Sequence, residues 1–199
     1  MGGIDRLIAT ALSSEIKKQL PLDVLKKIER ELFLEYGMSI KLSIENFEIF
    51  HKILKSFPEI DAKNFEKSCL GKIISLHKHN NNYSVKIVHP DLINKILDYL
   101  GDPESRKLLN SLMEKNLTIP EILSLTKVLK SPAYRKIENM LLDGLILESG
   151  KILSNKKRVS RYRSIFKEIH IIFGKNFITL DCILSKNDLE SSSIFKLGI

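Results

Sequence analysis

Ten Lys and Arg residues stand against three Asp and Glu between Lys127 and Arg163, and this is the stretch with most to do chemically. A guanidinium such as that of Arg135 can grip O6 and N7 of guanine together, so Arg135 is the candidate for a base edge. Lys136 follows it. Lys156, Lys157 and Arg158 sit together in Ser154-Asn155-Lys156-Lys157-Arg158, a polar turn whose long cations suit phosphates better than bases. The competing reading of Arg135 is a surface ion pair with Glu138 one helical turn away. For the turn cations it is simple solvation. Tyr134 fits a phosphate-contacting hydroxyl or a core aromatic with a wet tip equally well.

Something must hold these groups, and the elements are readable. Thr118-Ile119-Pro120-Glu121 is a capping box: the Thr118 side chain accepts from the first turn, and Glu121 reaches back. Thirteen residues later, Ser131-Pro132 offers a hydroxyl N-cap followed by a first-position proline. One short helix and a turn, Lys127 to Lys130, fit between them, which is helix-turn-helix spacing. The second helix carries Ala133, Ile137, Met140 and Leu141 on one stripe, with Tyr134, Arg135, Glu138 and Asn139 opposite. Gly144 fits a C-terminal cap. Two strand-like runs follow, Leu145 to Leu153 and Val159 to Phe166, with the basic turn between them. A helix-turn-helix with a basic hairpin is a winged helix.

Ser131-Pro132-Ala133-Tyr134-Arg135-Lys136-Ile137, then Leu141 and Gly144-Leu145-Ile146, resembles the recognition-helix signature of archaeal winged-helix transcriptional regulators related to the ArsR and MarR families. Lys157-Arg158-Val159-Ser160-Arg161-Tyr162-Arg163 resembles their wing and its return strand. The resemblance spans about residues 101 to 185. It implies double-stranded DNA as partner, with Thr118, Ser131, Tyr134, Arg135, Lys136, Asn139, Lys156, Lys157, Arg158 and Arg161 as contact residues. The metal-binding Cys and His residues of the metal-sensing ArsR branch are absent, so no metal-sensor identity carries over.

The charge balance agrees. The chain has 199 residues and a net charge of +8. Residues 1 to 101 hold 15 Lys/Arg against 13 Asp/Glu, and residues 102 to 173 hold 14 against 8. A basic excess on a groove-shaped motif is the footprint of nucleic-acid binding. No run of 18 apolar residues is present, and Met1-Gly2-Gly3-Ile4-Asp5-Arg6 does not read as a signal peptide. Cys69 and Cys182 form no CxxC pair, which points to a reducing, cytoplasmic compartment. Cys69, His77, His79 and His89 lie in one region, but their spacing matches no zinc motif, and Cys69 reads better as a small core residue. No phosphate-cradling glycine loop, GxSxG or paired catalytic carboxylates appear. Neither an enzyme nor a cofactor is expected.

Helical periodicity fills the first half, over residues 4 to 19 and 22 to 36, from Ser43, from Asp61 and from Asp91 to Leu100. Residues 72 to 88 fit a continued helix or a strand pair about Asn80-Asn81-Asn82; a hairpin after Gly71 is favoured. Asp102-Pro103-Glu104 starts the helix before the capping box. Phe166 to Phe173 and Phe177 to Leu184 make a second hairpin, too apolar to stand alone in water. It must pack on the N-terminal part or on a second protomer. Residues 186 to 193 read as a serine-rich loop.

The expected fold is therefore mainly α with a small β part. An N-terminal helical domain, residues 1 to 100, serves oligomerisation or the sensing of a small-molecule effector. A winged helix with an extra C-terminal β-hairpin fills 101 to 199. The expected function is a DNA-binding transcriptional regulator, acting as a homodimer or higher oligomer. The alternative is an assembly protein whose winged helix mediates protein contacts.

Overall fold

The computed structural model describes residues 3–79, 82–154 and 157–196. Helices come first: α1 Gly3–Gln19, α2 Leu22–Tyr36, α3 Ile40–Ile44, α4 Phe47–Lys55 and α5 Ala62–Gly71. A hairpin of β1 Ile74–His79 and β2 Asn82–Ile87 follows. Then come α6 Pro90–Gly101, α7 Pro103–Met113, β3 Leu117–Thr118, α8 Ile119–Thr126 and α9 Lys130–Leu142. The chain ends in β4 Ile146–Ser154, β5 Lys157–Ser164, β6 Phe166–Gly174, β7 Phe177–Leu184, α10 Lys186–Glu190 and α11 Ser193–Lys196.

The result is a mixed α/β molecule with two antiparallel sheets, so the β part is larger than expected. One sheet has the order β1-β2-β7-β6 and the other β3-β5-β4. The first sheet crosses residue 100. Val85 pairs with Cys182 and Ile87 with Leu180, and all four side chains are buried. The apolar C-terminal hairpin thus finds its partner in the hairpin that follows Gly71.

At the centre lies α1. Ile4, Leu7, Ile8, Ala9, Leu12 and Ile16 are buried around nearly its whole circumference, as befits a helix enclosed by α3, α5, α6 and α10. Cys69 and Cys182 are both buried, and burial pushes both thiols up to about 12, so neither is a ready nucleophile. Among the described residues no three His, Cys, Asp or Glu side chains gather to hold a metal. No described helix is long and apolar enough to cross a membrane.

Two expectations about local structure are corrected. The helix expected from Ser43 is two helices, because Ser39 caps α3 by accepting from the Leu42 N–H at 3.3 Å. The chain then breaks before Phe47, whose N–H donates to Ser193 Oγ at 2.9 Å. The serine-rich segment is also not a loop. Ser185 caps α10, accepting from the Asp188 N–H at 3.1 Å. Buried Asp5 accepts from the Ser192 hydroxyl, and from the Ser193 N–H and Oγ at 2.7 and 2.8 Å. Burial raises the Asp5 pKa, while these donors oppose the rise.

The front and back halves are locked together at Gly144, which ends α9 with φ +77°. The Leu145 N–H reaches back to Met140 O at 2.9 Å, a glycine-dependent helix stop. A Cβ at Gly144 would lie 2.5 Å from the Leu7 nitrogen, so α1 can approach only a glycine here. Arg6 spans the same junction, donating to Glu45 at 3.0 Å and to Leu141 O at 3.3 Å.

Candidate nucleic-acid interface

Residues 103 to 164 place the basic side chains. Asp102 caps α7, accepting from the Ser105 N–H at 2.9 Å. Then β3 adds to the β4–β5 hairpin through Thr118 opposite Arg161. The expected capping box opens α8: the Thr118 N–H donates to Glu121 Oε2 at 2.7 Å, and the Glu121 N–H to Thr118 Oγ1 at 3.5 Å. These bonds hold the Glu121 carboxylate below its usual range. Thr118 is buried and its hydroxyl also donates to Glu121 at 2.8 Å, so it builds the helix rather than facing a ligand.

The turn after α8 is set by Lys127, a non-glycine residue in the left-handed region at φ 57°. Its N–H closes the helix onto Leu123 O at 3.1 Å. The next helix starts two residues earlier than expected: Leu129 occupies the N-cap and Lys130 is the first helical residue. Ser131 is therefore not the cap. Its first-turn neighbours reach water, and Pro132 is tolerated at the third position because that N–H has no intrahelical partner anyway.

On α9 the buried stripe is Ala133, Ile137 and Met140. Ser131, Tyr134, Arg135, Glu138 and Asn139 are exposed. Among the described residues no ion pair engages Arg135, so the expected alternative pairing with Glu138 is not formed. Lys136 behaves differently. It lies on the flank towards α7, bonded to Asp102 and 3.6 Å from Glu104. Lys136, with the Ser105 hydroxyl and N–H, holds the Asp102 carboxylate well below its usual range. The sequence places Lys136 beside Arg135, but the structure gives it to the α7–α9 junction. Nearby, Asp143 accepts from Lys95 at 2.8 Å and Tyr99 at 2.7 Å, tying α6 to the end of α9. Burial, then the Asp143 carboxylate, raises the Tyr99 phenol pKa.

The β4–β5 hairpin carries the remaining cations. Lys156 lies outside the described residues. Lys157 and Arg158 are exposed and pair in register with Ser154 and Leu153. A bulge between Glu148 and Gly150 bends the hairpin. Arg161 donates to Asn116 O, which fastens β5 beneath β3 and leaves it half-buried. Arg163 turns away entirely, gripping the buried Asp188 of α10 through both terminal nitrogens, at 2.7 and 2.5 Å. That pair raises the Arg163 pKa further.

Exposed on α9 are thus Ser131, Tyr134, Arg135 and Asn139, and exposed on the β4–β5 hairpin are Lys157 and Arg158. Thr118, Lys136 and Arg161 are spent on structure. Sequence reasoning missed two cations, Lys127 and Lys130, both exposed at the α8–α9 turn. Their signal was position: a lysine inside the turn and another in the first turn of the following helix. Comparison of the chain with protein-family models, curated proteins and solved structures finds no match.

Proposed function

We propose that the chain is a transcriptional regulator that binds double-stranded DNA through a winged helix-turn-helix formed by α7, β3, α8, α9, β4 and β5. Its recognition helix is α9, lying in the major groove, and its wing is the β4–β5 hairpin on an adjacent phosphate backbone. The observation that carries this is the outward face of α9: Ser131, Tyr134, Arg135 and Asn139 are exposed, and no described acidic group holds Arg135. The strand order β3-β5-β4 supports it, since that order sets the hairpin beside the helix pair.

In this account Arg135 reads a base edge, while Lys127, Lys130, Lys157 and Arg158 neutralise phosphates. A single module of this size buries modest surface, so a two-fold dimer on a near-palindromic site is expected. The N-terminal helices would oligomerise the chain or sense an effector. In vitro selection from random duplexes tests the proposal. It should enrich one motif with half-sites about one helical turn apart. A pool that stays random would contradict it.

A second reading rests on apolar exposure. Leu129, next to Lys130, is 74% exposed, and Leu153, paired with Arg158, is 75% exposed. Leucines there suit a protein partner, so an assembly role through the same module is the alternative. Binding that survives high salt would favour it over DNA.

A further inference from the structure

The two edges of the four-stranded sheet are unlike. The β1 edge reads Ile74-Ser75-Leu76-His77-Lys78-His79, interrupted by polar residues and a charge, as an edge that avoids other chains does. On β6 the charged residues, Lys167 and Glu168, are confined to its start. From Ile169 to Gly174 it contains no Lys, Arg, Asp or Glu. Ile171 is 52%, Ile172 42% and Phe173 80% exposed.

Register explains the exposure. Ile169, Ile171 and Phe173 pair with Cys182, Leu180 and Ile178, so they lie on the sheet face that is buried over β7. The helical layer covers Val85, Ile87, Leu180 and Cys182 but stops short of the outer half of β6. Among the described residues, no backbone bond joins the outer side of β6 to another segment. An uncovered apolar face and a row of unpaired backbone groups therefore coincide on one strand. That combination fits another extended apolar strand and nothing smaller.

We propose that β6 pairs antiparallel with β6 of a second copy, joining the two sheets into one of eight strands across a two-fold axis at Ile171. A two-fold contact must be self-complementary. Centred at Ile171, the pairing sets Ile171 on its own copy and Phe173 against Ile169, giving one apolar strip. Glu168 faces Gly174, and the like-charged pair, Lys167 with Lys175, falls at the outer ends of the contact, beyond the apolar strip. This supplies the dimer that the DNA-binding reading calls for, but it stands on the edge alone.

Two measurements without DNA test it, so its failure is separate from failure of DNA binding. Light scattering on the full chain at tens of micromolar should give twice the 22.8 kDa chain mass. Ile171→Lys should give the monomer mass with an unchanged circular dichroism spectrum, since the position is already half in water. Ile171→Cys should form a covalent dimer on mild oxidation, because paired Cα atoms in antiparallel strands fall within disulfide reach. His77→Cys, on the other edge, should not. A monomeric wild type, a dimer unaffected by Ile171→Lys, or equal cross-linking through His77→Cys would each overturn the proposal.

Discussion

Two antiparallel hairpins follow one another in this chain, with opposite chemistry. The β4–β5 hairpin ends in Lys157 and Arg158, while β6–β7 ends around Phe173 and Phe177. A hairpin tipped with cations is content in water and gains when a polyanion replaces its counterions. A hairpin tipped with phenyl rings loses about 25 cal/mol for every Å² of apolar surface left wet, so it gains from another apolar surface. Backbone pairing makes both hairpins, and side-chain hydration decides what each reaches for. The link between them is one residue, Ile165, whose N–H donates to Leu145 O at 3.1 Å.

The comparison breaks first at Arg163, which shares β5 with Arg158 but faces Asp188. Replacing Arg163 with Ala strands a buried carboxylate, since the Asp188 side chain is 2% exposed. The expected cost is about 3–5 kcal/mol in urea unfolding, with DNA affinity of the folded fraction unchanged. Equal stability would mean that cations along β5 are interchangeable. Next in size, Arg135→Ala should cost about 1–3 kcal/mol on the preferred duplex and flatten preference at one base position, read by competition binding. A uniform loss across all sequences would make Arg135 a phosphate contact instead.

The smallest effect belongs to Lys136, part of the junction rather than the surface. Its partner Asp102 is partly exposed, so solvent screens the pair, and Lys136→Ala should cost under about 1 kcal/mol at pH 7. The sign with pH is informative. The Asp102 pKa is depressed in the folded state, so the stability it contributes is full above its ordinary value of 3.8. That stability is lost as pH falls through the depressed one. Removing Lys136 lessens the depression, so the variant should lose less stability than wild type between about pH 5 and pH 2. A parallel pH profile would show that Ser105 alone holds Asp102.

Local signals were legible. Asp61, Asp102 and the Thr118–Glu121 box start helices where the sequence places them, and Gly37 stops one at φ 64°. The stripe of Ala133, Ile137 and Met140 set which side of α9 faces in, and hence that Arg135 faces out. Long-range pairing was not legible. Lys136 meets Asp102 across 34 positions, and Asp5 meets Ser192 across 187. No periodicity announces either. The same holds for β2 beside β7, which turned a small β part into a four-stranded sheet. Ser131 misled because a hydroxyl before proline is a strong cap signal, while an exposed helix start needs no side-chain cap.

A salt series shows whether the cationic hairpin grips phosphate, as proposed. Binding of the full chain to one duplex should weaken linearly as log salt rises. Replacing Lys156, Lys157 and Arg158 together with Ala should lower the slope by about 0.9 for each phosphate no longer neutralised, up to about 2.7, on preferred and scrambled duplexes alike. A slope unchanged by the triple substitution, or affinity indifferent to salt in the wild type, would contradict the account and move the surface between Lys127 and Arg163 to a protein partner.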